Sequence, residues 1–244
     1  MAIDETNEWI CSAVDVEGGI RPGSKIKPVM RGMAAKDLRW DKGKTLKIFF
    51  VNGDQDQHQK FMVIANLWII DGVSLKLETT NDKKESHIRV WIGLSPNPQP
   101  GKPPIPLNNS LIGTQHQDYR DQVTLRVANV TDPSIVLHEF GHALGLVHEH
   151  FHADFPYSWN RNAVYEDLKK QGGPWVETAY IDRHVFHEDP AGKLPADDEI
   201  KPFDPSSVMN YTIPSNWTVE KKGLMPAKEL SSGDKATILE LYRA

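Results

Sequence analysis

The stretch HEFGHALGLVHEH, residues 138–150, constrains the fold more than any other part of the chain. It places four histidines and two glutamates among residues that are mostly apolar or Gly. On an α-helix, residues four apart share a face, so His138 and His142 project together. Gly145 can leave the helix in the left-handed conformation, which lets the chain turn and bring His148 back beside them. The sequence therefore predicts a helix followed by a turn, with three imidazoles converging on one point.

This cluster has the composition of a site for one catalytic zinc ion. Three imidazoles at about 2.0–2.1 Å leave the fourth tetrahedral position to water, whereas a structural zinc site is closed by a fourth protein ligand. Glu139 is angularly offset from His138, so its carboxylate would lie beside that water and accept its proton. A lone buried histidine is usually only a core residue, but here every position fits H-E-x-x-H-x-x-G-x-x-H. We predict His138, His142 and His148 as metal ligands and Glu139 as the general base; zinc is favoured, although imidazole sites also accept other transition ions.

The same eleven residues resemble the extended zinc signature of the metzincin metallopeptidases, which also carry a methionine turn beneath the metal. The segment SSVMNY, residues 206–211, is the candidate for that turn. The resemblance implies that Met209 forms the hydrophobic floor of the site. It also implies that Tyr211 is the tyrosine typical of the astacin family, a possible additional zinc ligand that swings away to stabilise the tetrahedral intermediate.

The resemblance to the astacin family runs from about Leu38 to Tyr242 and is nearest to its disulfide-free microbial branch. NSLIGT at 109–114 resembles the family's rim strand, and WNRNAVY at 159–165 recurs in that branch. The resemblance implies a zinc-dependent endopeptidase acting on a protein or peptide substrate, which would pair as an added strand with the rim. In mature astacin the new N-terminus lies against the glutamate after the third histidine, here Glu149; the long segment ahead of the core leaves open whether Glu149 instead caps or pairs locally.

The fold class that we predict is α+β. Strands are expected at 45–51, 73–79, 87–92, 107–113 and 122–127, and helices after Asp54, at 132–144, 161–171 and 174–186, and after Ser231 or Ser232. The alternation of apolar and polar residues at 73–79 and 87–92 indicates half-buried strands. The resemblance arranges these elements as a metzincin-type fold: a twisted mixed sheet with two long helices, an irregular helical C-terminal lobe, and an active-site cleft between them.

We divide the chain into an N-terminal arm or short prosegment-like extension, 1–38, and a single catalytic peptidase domain, 39–244. Within the domain, 39–147 forms the upper lobe and 148–244 the lower lobe. The arm contains Cys11 and Asp15, either of which could hold the enzyme latent by binding the zinc. A surface arm with an ordinary free thiol is the favoured alternative, because one cysteine is weak evidence.

Composition excludes several classes of function. A formal net charge of -5 provides no basic field for nucleic acid, and the apolar runs are too short to span a membrane. One cysteine allows no intramolecular disulfide. Localisation stays open, since the family resemblance suggests export while the absence of a secretory signal from the chain suggests otherwise. The oligomeric state is not indicated.

Two other functions compete with the peptidase. One is a non-catalytic zinc-containing peptide-binding module, against which Glu139 argues because a binding site needs no base. The other is a latent zymogen or toxin held inactive by the arm. His150 and His152 follow the third histidine closely enough to contact the metal ligands, but solvation at the surface is the favoured expectation. Lys221 and Lys222 could line the pocket for the residue after the scissile bond, but a solvated pair is favoured. No role is assigned to the remaining histidines, namely His58, His87, His116, His184 and His187.

Overall fold

A five-stranded mixed sheet forms the first half of the structure. The computed structural model describes residues 38–95, 104, 106–170, 173–189, 192–193 and 202–244, so the predicted arm with Cys11 and Asp15 lies outside the described residues. The strand order is β2-β1-β3-β5-β4, with only β4 antiparallel to its neighbour. The strands are β1 (Thr45–Phe50), β2 (Lys76–Thr79), β3 (Ile88–Ile92), β4 (Asn109–Ser110) and β5 (Leu125–Val127).

Five α-helices are present in the described part of the chain. Helices α1 (Gln55–Ala65) and α2 (Pro133–Ala143) pack against each other, and α2 also packs against the sheet. Helix α5 (Ser232–Tyr242) is the last element of the chain. Helices α3 (Arg161–Lys169) and α4 (Thr178–His184) lie in the second half, followed by a small hairpin of β6 (Glu188–Asp189) and β7 (Gly192–Lys193). The predicted α+β architecture is confirmed.

Helix starts follow the capping residues read from the sequence. Asp54 and Ser231 each form a capping box, accepting a hydrogen bond from the N3 backbone amide. Asp132 accepts from the Ser134 amide at 3.0 Å, and Pro133 occupies the first turn, where a missing N–H costs nothing. The Asp132 cap and Pro133 fix where α2 begins, and α2 is the helix that carries His138 and His142.

Two hydrophobic clusters meet at the segment around residue 210. The larger packs the sheet against α1, α2 and α5 and includes Met209. The smaller packs α3 and α4 against the loops of the second half and includes Tyr211. Met209 and Tyr211 are only two residues apart but belong to different hydrophobic clusters, so the loop that contains them is held by packing on both sides. The assignment of 39–147 and 148–244 as lobes stays a prediction.

Three strands are shorter than the sequence predicted. The strands predicted at 73–79, 107–113 and 122–127 shorten to β2, β4 and β5, and 113–117 is a 3₁₀ helix. The half-buried expectation for β3 is wrong, because Ile88, Arg89 and Val90 are all buried in the middle of the sheet. No helix within the described ranges has the length and apolar character required to cross a bilayer.

Candidate metal centre and active site

The end of α2 is built so that the chain reverses within two residues. Gly145 has φ = 96°, a conformation open to glycine at no steric cost. Its amide donates to the His142 carbonyl at 2.8 Å, and the Leu146 amide donates to the Gly141 carbonyl at 3.0 Å. The turn predicted at Gly145 is therefore present, and it returns the chain towards the helix face that carries His138 and His142.

Two side chains from the ends of the domain satisfy the last carbonyls of α2. Trp40 Nε1 donates to the Ala143 carbonyl at 2.8 Å, and the Tyr242 hydroxyl donates to the Leu144 carbonyl at 2.7 Å. The Trp40 amide in turn donates to the Tyr242 oxygen at 3.2 Å. Helix ends leave such carbonyls without intrahelical partners, so this pair stabilises the turn that places His148.

The three histidines of the motif converge as predicted. His148 Nε2 lies 3.2 Å from both His138 Nε2 and His142 Nε2. Ligands about 2.0–2.1 Å from a tetrahedral zinc are separated by about 3.3 Å, so this triangle fits one zinc ion. All three side chains are buried, and burial lowers the pKa of His138 to about 4 and of His142 to about 3. Neutral imidazoles are the form that binds metal.

The methionine turn lies directly beneath the helix. A Cβ placed on Gly141 would meet the Met209 sulfur at 2.4 Å, so any larger residue at this helical position would displace the Met209 side chain. Asp234 of α5 holds the turn from the other side, accepting from the Ser207 hydroxyl at 2.6 Å and the Val208 amide at 3.0 Å. Met209 therefore packs against the helix that carries His138 and His142, at Gly141, and its role as the floor of a metal site stays a prediction.

Glu139 and Tyr211 flank the histidines. Both are almost fully buried, and together with His138 they line a small cavity between α2 and the methionine turn. The Tyr211 ring is 5.0 Å from the His148 ring, centroid to centroid. The cavity also borders Pro226. The predicted base and the predicted tyrosine are therefore brought to the same small space beside the metal ligands.

Glu149 follows the third histidine and is buried against the segment 204–209. Its carboxylate accepts from the Asp204 amide at 2.7 Å, and its own amide donates to the Met209 carbonyl at 3.0 Å. Burial raises the pKa of Glu149 to about 8, and the Asp234 and Asp204 carboxylates raise it further against the lowering effect of the Asp204 amide. Glu149 therefore binds the loop that precedes the methionine turn, 55 residues further along the chain, and this contact is neither a local cap nor a local salt bridge.

The expectation that His150 and His152 are solvated is wrong, since their exposed fractions are 4% and 3%. His152 accepts from the Asp154 amide at 2.9 Å. Burial lowers the pKa of His150 to about 3, which leaves a neutral ring among aromatic side chains. Nothing local in HEHFH shows this, because the covering side chains come from distant segments. Lys221 and Lys222 are exposed, in agreement with the prediction.

His116, which the sequence left without a role, supports the rim strand. It is fully buried, with Nε2 donating to the Leu111 carbonyl at 2.8 Å and Nδ1 accepting from the Thr124 hydroxyl at 2.7 Å. The buried Arg89 guanidinium donates to the His116 carbonyl and, at 2.9 Å, to the Gln122 carbonyl. The short strand β4 at the sheet edge is thus attached through a buried polar network.

Comparison with known proteins supports the fold. No protein-family model and no curated protein matches the chain. Two structures of myroilysin match with TM-scores of 0.69 and 0.60, each at 23% identity, and cover 86% and 84% of this chain and 98% and 86% of theirs. High choriolytic enzyme 1, a hatching enzyme zinc-protease from the medaka Oryzias latipes, matches with a TM-score of 0.51 and 14% identity over 85% of this chain and 96% of its own. At such identities the likeness shows the fold alone: this chain shares the fold of myroilysin and of the hatching enzyme zinc-protease, and the predicted fold class is confirmed.

Proposed function

We propose that this chain is a zinc-dependent endopeptidase that hydrolyses peptide bonds in protein or peptide substrates. The observation that carries the proposal is the triangle of neutral, buried imidazoles beside the buried carboxylate of Glu139. His138, His142 and His148 would hold one zinc ion. When bound, zinc polarises the scissile carbonyl and lowers the pKa of water at the site from 15.7 towards about 7.

Proton transfer falls to Glu139 in this proposal. Its carboxylate accepts a proton from the attacking water and then delivers it to the nitrogen of the leaving amine. A position only 1% exposed keeps the carboxylate away from bulk solvent, so the same proton can be retained between the two steps. The Tyr211 hydroxyl, from the opposite wall of the small cavity, would donate to the developing oxyanion; one such donor typically contributes about 2.7–4 kcal/mol.

The substrate would bind along the outer edge of β4. This strand pairs with β5 on one side and is the last strand of the sheet, so its other side can accept an extended peptide by strand addition. Asn109 to Ile112 would supply the backbone partners. Asn108 and Ile135 border the cavity beside Glu139, which brings the rim within reach of the proposed base.

The test is chelator-sensitive digestion of casein by purified, zinc-loaded protein. We expect wild type to cleave, a chelator to abolish cleavage, and Glu139→Gln to lose at least about a hundredfold in kcat, as removal of a general base does. Glu139→Gln should still bind one zinc, because the carboxylate is not a ligand. Tyr211→Phe is the second variant and should lower kcat while retaining zinc.

The competing function is a zinc-containing module that binds peptides without cleaving them. It would be favoured if wild type cleaves nothing while Glu139→Gln binds zinc and peptides as wild type does. Latency imposed by the arm is a separate prediction outside the described residues. Activity that rises after limited proteolysis of 1–38, or in Cys11→Ala, would support latency, and unchanged activity would contradict it.

A further inference from the structure

The three proposed zinc ligands are not held in the same way. His138 Nδ1 donates to the Val208 carbonyl at 2.7 Å, and His142 Nδ1 donates to the Leu146 carbonyl at 2.9 Å. A hydrogen bond of this kind fixes the orientation of a ligand imidazole and leaves Nε2 free for the metal. His148 Nδ1 is buried and has no hydrogen-bond acceptor among the residues that the structure describes. Some other contact must orient the third ring.

Apart from the other two histidines of the triad, three rings contact His148 in the described structure: those of Tyr211 and Phe151 meet it edge-on at centroid distances of 5.0 and 5.5 Å, and the one that lies nearly parallel to it is the ring of His150. It stacks on His148 with an interplanar angle of 23° and a centroid distance of 5.3 Å. The local backbone brings the two rings together. His148 is extended and the next three residues form a 3₁₀ turn, which puts the side chains of His148 and His150 on one side. An aromatic pair of this kind contributes about 0.5–1.5 kcal/mol beyond the area that it buries, so a stacked ring can hold the His148 imidazole in one orientation.

His150 is itself held by other aromatic rings. Its centroid lies 4.4 Å from Phe151, 5.9 Å from Trp159 and 5.0 Å from Tyr211. Trp159 belongs to the segment ahead of α3, and Tyr211 follows the methionine turn, so three separate segments fix the position of this one side chain. His150 therefore joins the third ligand to the smaller hydrophobic cluster of the second half.

We propose that His150 is a positioning residue, whose stacked ring holds His148 in its metal-binding orientation in place of the hydrogen bond that orients His138 and His142. The inference rests on the proposed zinc site. In this role His150 acts through its aromatic face, and neither of its ring nitrogens is needed to hold His148. A residue that only filled space would stabilise the fold without changing zinc affinity, so the two roles differ in a measurable quantity.

The decisive comparison is between His150→Gln, which keeps polar atoms and loses the ring, and His150→Phe, which keeps the ring and loses both nitrogens. Zinc dissociation constants are measured on the folded, metal-free proteins by competition with a chromophoric chelator. An aromatic pair of ordinary strength predicts affinity about 2- to 12-fold weaker for His150→Gln. His150→Phe should bind zinc as wild type does. The Co²⁺ absorption spectrum, which reports ligand geometry, should change only in His150→Gln.

His152→Gln serves as the matched control, since it removes a buried histidine two positions further along that makes no stacking contact with His148 in the described structure. It should lower stability without changing zinc affinity. If His150→Gln does not fold, His150→Met provides a ring-free side chain of suitable volume. Equal zinc affinity in the ring-free variant and wild type would overturn the proposal, as would equal weakening in His150→Phe. Wild type that binds no zinc would instead reject the proposed function.

Discussion

Acid should destabilise this protein through His116, far from the zinc ligands in sequence and at the base of the rim strand. Burial lowers the pKa of His116 to about 3, against 6.5 in the unfolded chain, and the nearby Arg89 cation lowers it further while the Leu111 carbonyl opposes the shift. Between pH 6.5 and 3 the unfolded state therefore binds a proton that the folded state does not. The stability supplied by neutral His116 is complete above pH 6.5 and is lost as the pH falls.

The magnitude follows from the size of the shift. One pKa unit corresponds to 1.36 kcal/mol, so His116 should cost about 2 kcal/mol of unfolding free energy at pH 5 relative to pH 7.5, and about 4 kcal/mol by pH 3. The hydrogen bonds of His116 also favour its neutral form. Nδ1 now accepts a hydrogen bond from the Thr124 hydroxyl at 2.7 Å, and a protonated Nδ1 would face that hydroxyl hydrogen with a hydrogen of its own. Two hydrogens would then compete for one contact.

The assay compares urea unfolding of wild type and His116→Gln at pH 7.5 and pH 5, at equal zinc concentration. Other histidines titrate in both proteins, so their contributions cancel in the double difference. The loss between the two pH values should be about 2 kcal/mol smaller in His116→Gln. A double difference below about 0.5 kcal/mol would refute the reasoning, and so would an NMR titration of wild type showing a charged His116 imidazole at pH 5 in the folded state.

Three further substitutions test how the site is assembled. Gly141→Ala should destabilise by about 1–3 kcal/mol and weaken zinc binding, because the new Cβ would lie 2.4 Å from the Met209 sulfur; unfolding and zinc titrations measure both effects. Tyr242→Phe should cost about 1–3 kcal/mol by leaving the Leu144 carbonyl without its donor, and unchanged urea midpoints would contradict this. Asp234→Asn should loosen the methionine turn and lower kcat more than it raises KM, which steady-state kinetics on a peptide substrate decides.

The convergence of the three proposed zinc ligands could be predicted because their geometry is local. Residues four apart on a helix share a face, and a glycine three residues later permits the turn, so the positions of His138, His142 and His148 follow from spacing alone. Gly141, inside a helix, also indicates a point of close packing that was not predicted from the sequence. Glycine inside a helix costs about 1 kcal/mol relative to Ala, and here the cost is offset by the close packing of Met209.

The errors concern polar residues whose partners come from elsewhere in the chain. The alternation in β3 predicts one solvated face only if its polar residues need water. Arg89 does not, since carbonyls of Ser86, Gln122 and His116 replace the water around its guanidinium, and a central parallel strand is covered on both faces. His150 is buried for a similar reason, because aromatic rings replace the water around its imidazole. Hydrophobic periodicity cannot identify such positions, because it records the polarity of a side chain and contains no information on the distant groups that replace its solvent.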